Sequence, residues 1–276
     1  MRNARDEAED FQFIIDLIYE RSRIRLHDGK QALIKARLGK RMRARGIDTL
    51  SDYCEFLRTE ADEEEMTHLV DALATNFTGF LREREHFEFL VGQALPQLLG
   101  GDGGKARGFQ LWSAACATGE EPYSMALYLA EHYPMARGWD WRILATDIST
   151  KALATASGGV YPEGRLEAVP SEWVRRYFQR GQRDWAGYVR VKDLLRERVR
   201  WEQMNLLEGG RVGGPFEVIF CRNVMIYFDR RTQQELVKRL MSHLVPGGYL
   251  LTGHSESLNG LGLDLQCLRP SVYRKN

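Results

Sequence analysis

Two acidic side chains, Glu120 and Glu121, follow a run of small residues, Ser113-Ala114-Ala115-Cys116-Ala117-Thr118-Gly119, and are followed by Pro122 and Tyr123. Small residues let backbone approach a ligand, Gly119 can take a positive φ, and Pro122 suits a first helical turn. The segment therefore reads as a binding loop entering a helix. Its spacing is not GxGxxG, and its carboxylates would repel a pyrophosphate, so a ligand with positive charge or exposed hydroxyls fits better than a dinucleotide. Asp147 lies 26 residues beyond Glu121 at the end of an apolar run. An acid at such a strand end commonly takes ribose hydroxyls, and it is also an ordinary helix cap. An adenosine that carries a cation in place of phosphates, as S-adenosyl-L-methionine does, satisfies both loops.

These loops need strands that end where they begin. Apolar runs at Phe109 to Ala115, Trp141 to Thr146, Val199 to Met204, Phe216 to Cys221 and Tyr249 to Thr252 read as strands. Helices are expected at Glu121 to Tyr133, Ser149 to Ala156 and Thr232 to Leu244, the last closed by Pro246-Gly247-Gly248. Strands alternating with helices predict an α/β fold with a mostly parallel, doubly wound, Rossmann-like sheet. Residues Tyr177 to Val191 break that alternation and read as two strands around a turn, a small antiparallel insert. The first third differs: stripes at Phe11/Ile14/Ile15/Ile18, Leu50/Tyr53/Cys54/Leu57, Met66/Leu69/Val70/Leu73 and Phe87/Leu90/Val91/Ala94/Leu98 have helical spacing. Residues 1–85 are thus expected to be an all-helical domain and 86–276 the sheet domain, with five glycines in the nine positions Gly100 to Gly108 forming flexible coil.

Composition excludes several classes. Lys plus Arg is 39 and Asp plus Glu 38, a net charge of +1, so no whole-chain field exists to hold nucleic acid. No apolar run approaches the roughly 20 residues of a membrane helix, and the acidic opening is unlike a signal peptide, which points to the cytoplasm. Cys54, Cys116, Cys221 and Cys267 are scattered without a CxxC pair, which favours neither disulfides nor a metal site.

Further along, the motifs accumulate in order: Thr75 to Glu83 (TNFTGFLRE), Trp112 to Ser124, Asp147, Asn205 to Leu207, Cys221 to Phe228 (CRNVMIYF) and Gly253 to Glu256 (GHSE). This set resembles the CheR family of chemoreceptor methyltransferases across nearly the whole chain. The resemblance implies methyl transfer from S-adenosyl-L-methionine to glutamates on the cytoplasmic rods of chemoreceptors. It also implies that Asn76, Thr78, Arg82, Glu121, Asp147, Asn205, Leu206, Asn223 and Val224 contact the cofactor, with Arg82 and Tyr227 near the transferred methyl.

Elementary chemistry agrees with that implication. A glutamate carboxyl, which ordinarily titrates near about 4.3, is already ionised at neutral pH and needs no general base. Alignment and exclusion of water suffice, and no Ser/His/Asp or Cys/His set is required. Arg82 could hold a carboxylate by a bidentate fork, the cofactor's or the substrate's. Asn223 directly after an apolar strand must find a polar partner. His254 reads as structural. The rival readings are a catalytically idle receptor-binding module and a nucleic-acid methyltransferase, although the strand at Phe216 is followed by Arg222-Asn223-Val224-Met225 and not by an Asn/Asp-Pro-Pro-aromatic motif.

Charge is also segregated. Arg21 to Arg45 holds ten Lys/Arg and one acid, Asp28, whereas Ile47 to Asp71 holds nine acids and one Arg or Lys. On a helix from Lys30 to Arg45, Ile34, Leu38 and Met42 would face inward, and Arg37, Lys40, Arg41 and Arg45 outward. That outward face is expected either to dock an acidic receptor or to pair with the acidic helices. In family members that grip a receptor's C-terminal pentapeptide, the insert's edge accepts the peptide as an added strand. Gln182 to Ala186 here lacks the extra glycine of that loop.

Overall fold

The computed structural model describes residues 4–26, 29, 31–100, 108–208 and 212–276. Asp28, Lys30 and residues 101–107, most of the expected glycine-rich coil, lie outside the described residues. Four helices come first: α1 (Ala4–Ser22), α2 (Gln31–Arg45), α3 (Leu50–Thr59) and α4 (Glu63–Leu73). Their apolar stripes meet in one core where Ile14, Leu38, Tyr53 and Cys54 are fully buried. Thr49 and Asp62 start α3 and α4 by accepting the amides of Asp52 and Glu65, donors that a helix start leaves open.

Inside this body lies a buried ion cluster. The Glu65 carboxylate has no exposed surface and accepts Arg41 Nε at 2.7 Å, Arg45 Nε at 2.7 Å and the Tyr53 hydroxyl at 2.6 Å. Burial pushes this carboxyl up, but the hydrogen bonds from Arg41, Tyr53 and Arg45 outweigh it and bring it down to about 2. For two residues of α2's basic face the cluster bears out the expected pairing with the acidic helices. Arg41 and Arg45 turn to Glu65, and Arg37 donates to the carbonyls of Leu73 (2.8 Å) and Ala74 (3.1 Å) at the end of α4, while Lys40 is exposed. Periodicity fixes a side chain's angle around its own helix axis; it does not say that α4 lies alongside.

The helical core ends at Leu73, and Phe80 and Leu81 already pack into the core of the sheet domain, so packing passes from one body to the other before residue 85. A continuous helical stretch follows, α5 (Glu85–Phe89), a π-turn (Leu90–Ala94) and α6 (Leu95–Leu99). Then come β1 (Gly108–Ala114), α7 (Glu120–His132), β2 (Asp140–Asp147), α8 (Thr150–Gly158) and β3 (Val160–Pro162). After them lie α9 (Ser171–Tyr177), β4 (Phe178–Arg180), β5 (Tyr188–Val191), α10 (Asp193–Arg196) and β6 (Val199–Gln203). The chain ends with β7 (Phe216–Cys221), α11 (Arg230–Ser242), β8 (Leu244–Thr252), β9 (Leu265–Arg269) and β10 (Val272–Lys275).

The main sheet has the order β6-β2-β1-β7-β8-β10-β9, parallel through β8 and antiparallel at β10 and β9. Alternate residues face opposite layers: Leu111, Ile143, Val218 and Tyr249 belong to one buried core, and their neighbours Trp112, Leu144, Ile219 and Leu250 to the other. Both faces are covered, which is why these strands read as nearly continuous apolar runs. Three expectations change. The insert has three strands, β3-β5-β4, because Val160–Pro162 joins it from outside residues 177–191. Pro246-Gly247-Gly248 lies inside β8, at a register shift against β7, and does not merely close α11. The β9/β10 hairpin extends the sheet beyond the expected strands, since β9 is almost wholly exposed and has no apolar alternation to read. Among the described residues no helix is long and apolar enough to cross a membrane.

Removing the Glu65 carboxylate strands two guanidinium groups. Glu65→Ala should lower unfolding free energy at pH 7 by about 3 kcal/mol, read by urea melts. Because the folded pKa lies below the unfolded one, this contribution is present above about pH 4.5 and is lost as pH falls toward about 2. The difference between wild type and variant should therefore shrink between pH 5 and pH 3.

Candidate active site

In a doubly wound sheet the crevice opens where strand order reverses, beyond the carboxyl ends. Here β1 lies between β2 and β7, so the reversal falls between β1 and β7. Four strand ends supply the walls: Ala115–Ala117 after β1, Asp147 at the end of β2, Met204–Leu206 after β6 and Arg222–Val224 after β7. The segment Leu73–Gly79 with Arg82 forms another wall, and Ser22, Arg25, Leu26, Leu33 and Arg37 of the helical body complete it. Asn76, Thr78, Arg82, Glu121, Asp147, Asn205, Leu206, Asn223, Val224 and Tyr227 all line this one cleft. Of the four basic residues expected on α2's outer face, Arg37 lines it too; Lys40, Arg41 and Arg45 do not.

Asp147 is buried, and both its oxygens accept backbone amides, from Ala117 at 2.8 Å and Ser149 at 2.9 Å. Burial pushes its carboxyl up, and these amides oppose that rise. The cap of α8 is Ser149, which accepts Ala152 N, so Asp147 is not the helix cap and instead pins the β1 loop to the end of β2. Glu121 is buried between Ser113 Oγ at 2.7 Å and Arg222 Nη1 at 2.9 Å. Burial raises its proton affinity, and the Arg222 charge partly offsets this.

Arg222 and Glu83 are residues to which sequence reasoning assigns no role. The Arg222 guanidinium is 2% exposed and also binds Glu83 Oε2 at 2.9 Å through Nη2. A charged residue directly after the apolar strand Phe216–Cys221 is the available signal, since a charge there must be paired. Glu256 is a third such residue. It is buried and accepts the amides of Gly253 (2.6 Å), Asn223 (2.7 Å), Met225 (2.7 Å) and Ile226 (3.3 Å), which holds Asn223 at φ 59°. Leu81, Glu83, Ala115 and Ala117 also have positive φ, so non-glycine strain collects around the cleft.

Other side chains hold the walls together. Asn205 Nδ2 donates to the Arg21 carbonyl at 3.0 Å and to Glu208 at 2.7 Å, so its amide shapes the loop. Arg82 Nη1 donates to the Phe77 carbonyl at 3.1 Å, its guanidinium 5.7 Å from the Phe77 ring centre. Phe77 itself is 75% exposed. Tyr227 is half-buried and accepts the Arg25 amide at 2.9 Å through its carbonyl. His254 stands outside the cleft and pairs with Glu85 at 2.8 Å. The donor set suits a cationic adenosyl ligand: buried acids at Glu121 and Asp147 and small residues at Ala115–Ala117.

Comparison with known proteins gives two family matches. Residues 9–74 match the all-alpha domain of CheR methyltransferase, and residues 76–273 match its SAM binding domain. A chemotaxis protein methyltransferase of Salmonella typhimurium is 39% identical over 264 residues, 95% of this chain and 88% of its own. Chemotaxis protein methyltransferase 2 of Pseudomonas aeruginosa is 41% identical over 252 residues, 90% and 86% of the two chains. The chemotaxis protein methyltransferase of Borreliella burgdorferi is 35% identical over 274 residues, 97% and 94%.

The Glu256 staple yields a direct test. A Cβ on Gly253 would stand 2.5 Å from Asn223 Nδ2 and 2.8 Å from Glu256 Oε2, whereas one on Gly213 would meet nothing within 4 Å. Gly253→Ala should cost about 2 kcal/mol of stability. It should also weaken S-adenosylhomocysteine binding, because Asn223 moves with the staple. Gly213→Ala should change stability by no more than about 0.5 kcal/mol in the same urea melts.

Proposed function

The chain belongs to the CheR methyltransferase family, and from that premise we propose that it esterifies glutamate side chains on the cytoplasmic rods of chemoreceptors, acting in the cytoplasm to adapt chemosensory signalling. It is a methyltransferase of the chemotaxis class with a SAM-binding domain. The observation that carries the finer reading is convergence: residues as distant as Asn76 and Tyr227, expected to serve cofactor and methyl, line one cleft at the switch point of the sheet. When bound, S-adenosyl-L-methionine supplies an electrophilic methyl: the acceptor oxygen bonds to carbon while the carbon–sulfur bond breaks and its electron pair stays on sulfur. The products are a methyl ester and S-adenosylhomocysteine, with no proton to place.

The chain's own work is therefore binding, alignment and exclusion of water. Asp147 and Glu121 are the acids for the adenosyl side. Asn76, whose Nδ2 donates to Ser149 Oγ at 3.3 Å, would join them, and Asn205, Leu206, Asn223 and Val224 would close the rest of the wall. Arg82 is the group to hold a carboxylate, its fork giving orientation as well as charge. Tyr227 and Arg25 close the side toward the helical body, tied by the amide–carbonyl bond between them. Thr78 is fixed from behind by Arg165, which donates to its carbonyl at 2.9 Å and also pairs with buried Glu120.

Two surfaces would meet the receptor. At the mouth, exposed Phe77 and Leu33 offer apolar contact beside Arg37, with Lys40 on the outer side of α2. At the insert, a groove lined by residues of all three strands, Val160, Arg180, Tyr188 and Val189 among them, lies beside the edge strand β4, to which a receptor's C-terminal peptide would add as a strand.

The test is transfer of labelled methyl to receptor cytoplasmic fragments, with alkaline release to prove an ester. Arg82→Ala should cut turnover by about a hundredfold while leaving the melting temperature close to wild type. Arg82→Lys should recover little, since an ammonium lacks the planar fork. Full activity of the lysine variant would refute the role given to Arg82, and absence of alkali-labile label would refute glutamate esterification.

A further inference from the structure

In the cleft wall, one guanidinium joins three segments that are far apart in sequence. Arg222 follows β7; Nη1 reaches Glu121 Oε2 at the start of α7, at 2.9 Å. Nη2 and Nε both reach Glu83 Oε2, at 2.9 and 3.3 Å, and Nη2 also donates to the carbonyl of Arg82. The group sits beside the stacked pair Phe87 and Phe220, 5.5 and 5.9 Å from their ring centres. Glu121's other oxygen is taken by Ser113 and Glu83's other oxygen by the amide of His254 at 3.4 Å, so each carboxylate is held from two sides. All three segments present a cleft residue: Arg222 itself, Glu121 and Arg82. The cluster therefore joins three parts of the cleft wall.

We propose that Arg222 is a positioning residue of the transfer reaction, directing the Glu121 carboxylate and fixing the backbone from which Arg82 projects. This rests on the reading that Glu121 faces the cofactor and Arg82 the reacting carboxylate. Its two effects have different physical origins. Toward Glu121 the guanidinium acts by charge: without it, buried Glu121 and partly buried Glu83 become neighbours of like charge, and one takes up a proton. A protonated Glu121 loses its attraction for a cationic ligand. Toward Arg82 the guanidinium acts by shape, because its planar fork reaches a carbonyl and two carboxylates at once. A lysine ammonium preserves the charge and not the fork.

The effects therefore separate by variant. In Arg222→Lys, S-adenosylhomocysteine affinity by calorimetry should stay within about threefold of wild type, while kcat for a receptor fragment falls about tenfold. In Arg222→Met, affinity should fall about tenfold as well. Adding Glu83→Gln to Arg222→Met should restore most of that affinity by removing the like charge, though Glu83→Gln in the wild-type background weakens binding or leaves it unchanged. Equal losses of affinity and kcat in Arg222→Lys, or weaker binding by the double variant than by Arg222→Met, would overturn the proposal. If Arg222→Met does not fold, as shown by its melt, the lysine variant decides alone. Glu121→Gln with Arg222 intact reports on the underlying reading: wild-type affinity there overturns the assignment of Glu121 to the cofactor, independently of the Arg222 series.

Discussion

Glu121, Asp147 and Glu256 are all buried at the carboxyl edge of the sheet, where loss of hydration pushes a proton onto a carboxyl. The architecture around the cleft follows from keeping these groups charged and aimed. Asp147 and Glu256 are held by backbone amides, two and four respectively, which requires loops whose N–H groups converge. Convergence of that kind needs positive φ, seen at Ala115, Ala117 and Asn223. Glu121, on a regular helix, has no such loop and is held by a side chain, Arg222. The strain at the cleft and the buried arginine are thus two solutions to one electrostatic requirement.

The helical body is tied to the same strand ends. The Tyr19 hydroxyl donates to Asp229 at 2.8 Å, Asn205 to the Arg21 carbonyl at 3.0 Å, and Thr150 to Asp71 at 2.7 Å. Each bond joins the helical domain to a loop or helix start at the carboxyl edge of the sheet. The cleft consequently has a floor from the sheet and a wall from α1, α2 and the end of α4. Rigidity within the helical body comes from another buried carboxylate, Glu65, whose partners all lie within α2 and α3. Bringing α2 and α4 together through Glu65 also places Arg37 against the end of α4 and into the cleft wall.

Much of this is legible in the amino-acid sequence. Parallel strands buried on both faces announce themselves as apolar runs, so β1, β2, β6 and β7 begin and end within a residue or two of expectation. Asp147 and the Ala115–Gly119 loop are recognisable because each follows such a strand. What the sequence conceals depends on partners distant along the chain. Arg222 finds Glu83 139 residues away, and Glu256 finds Asn223 33 residues away; neither spacing has a local signature. The three-residue β3 and the exposed β9 bury too little apolar surface to leave a pattern. The basic stripe on α2 and its pairing with the acidic helices are both legible, but which side chains pair is not, because the counter-charge of Arg41 and Arg45 sits two helices later.

In the proposed reaction a buried carboxylate wall binds the adenosyl group, with Asp147 as its fixed point. Calorimetric titration of S-adenosylhomocysteine into Asp147→Asn tests this most directly, since asparagine preserves volume and removes the charge that strengthens hydrogen bonds from ribose hydroxyls. The expected result is a loss of about tenfold or more in affinity, in a protein whose melt shows it folded. Wild-type affinity in that folded variant would contradict it.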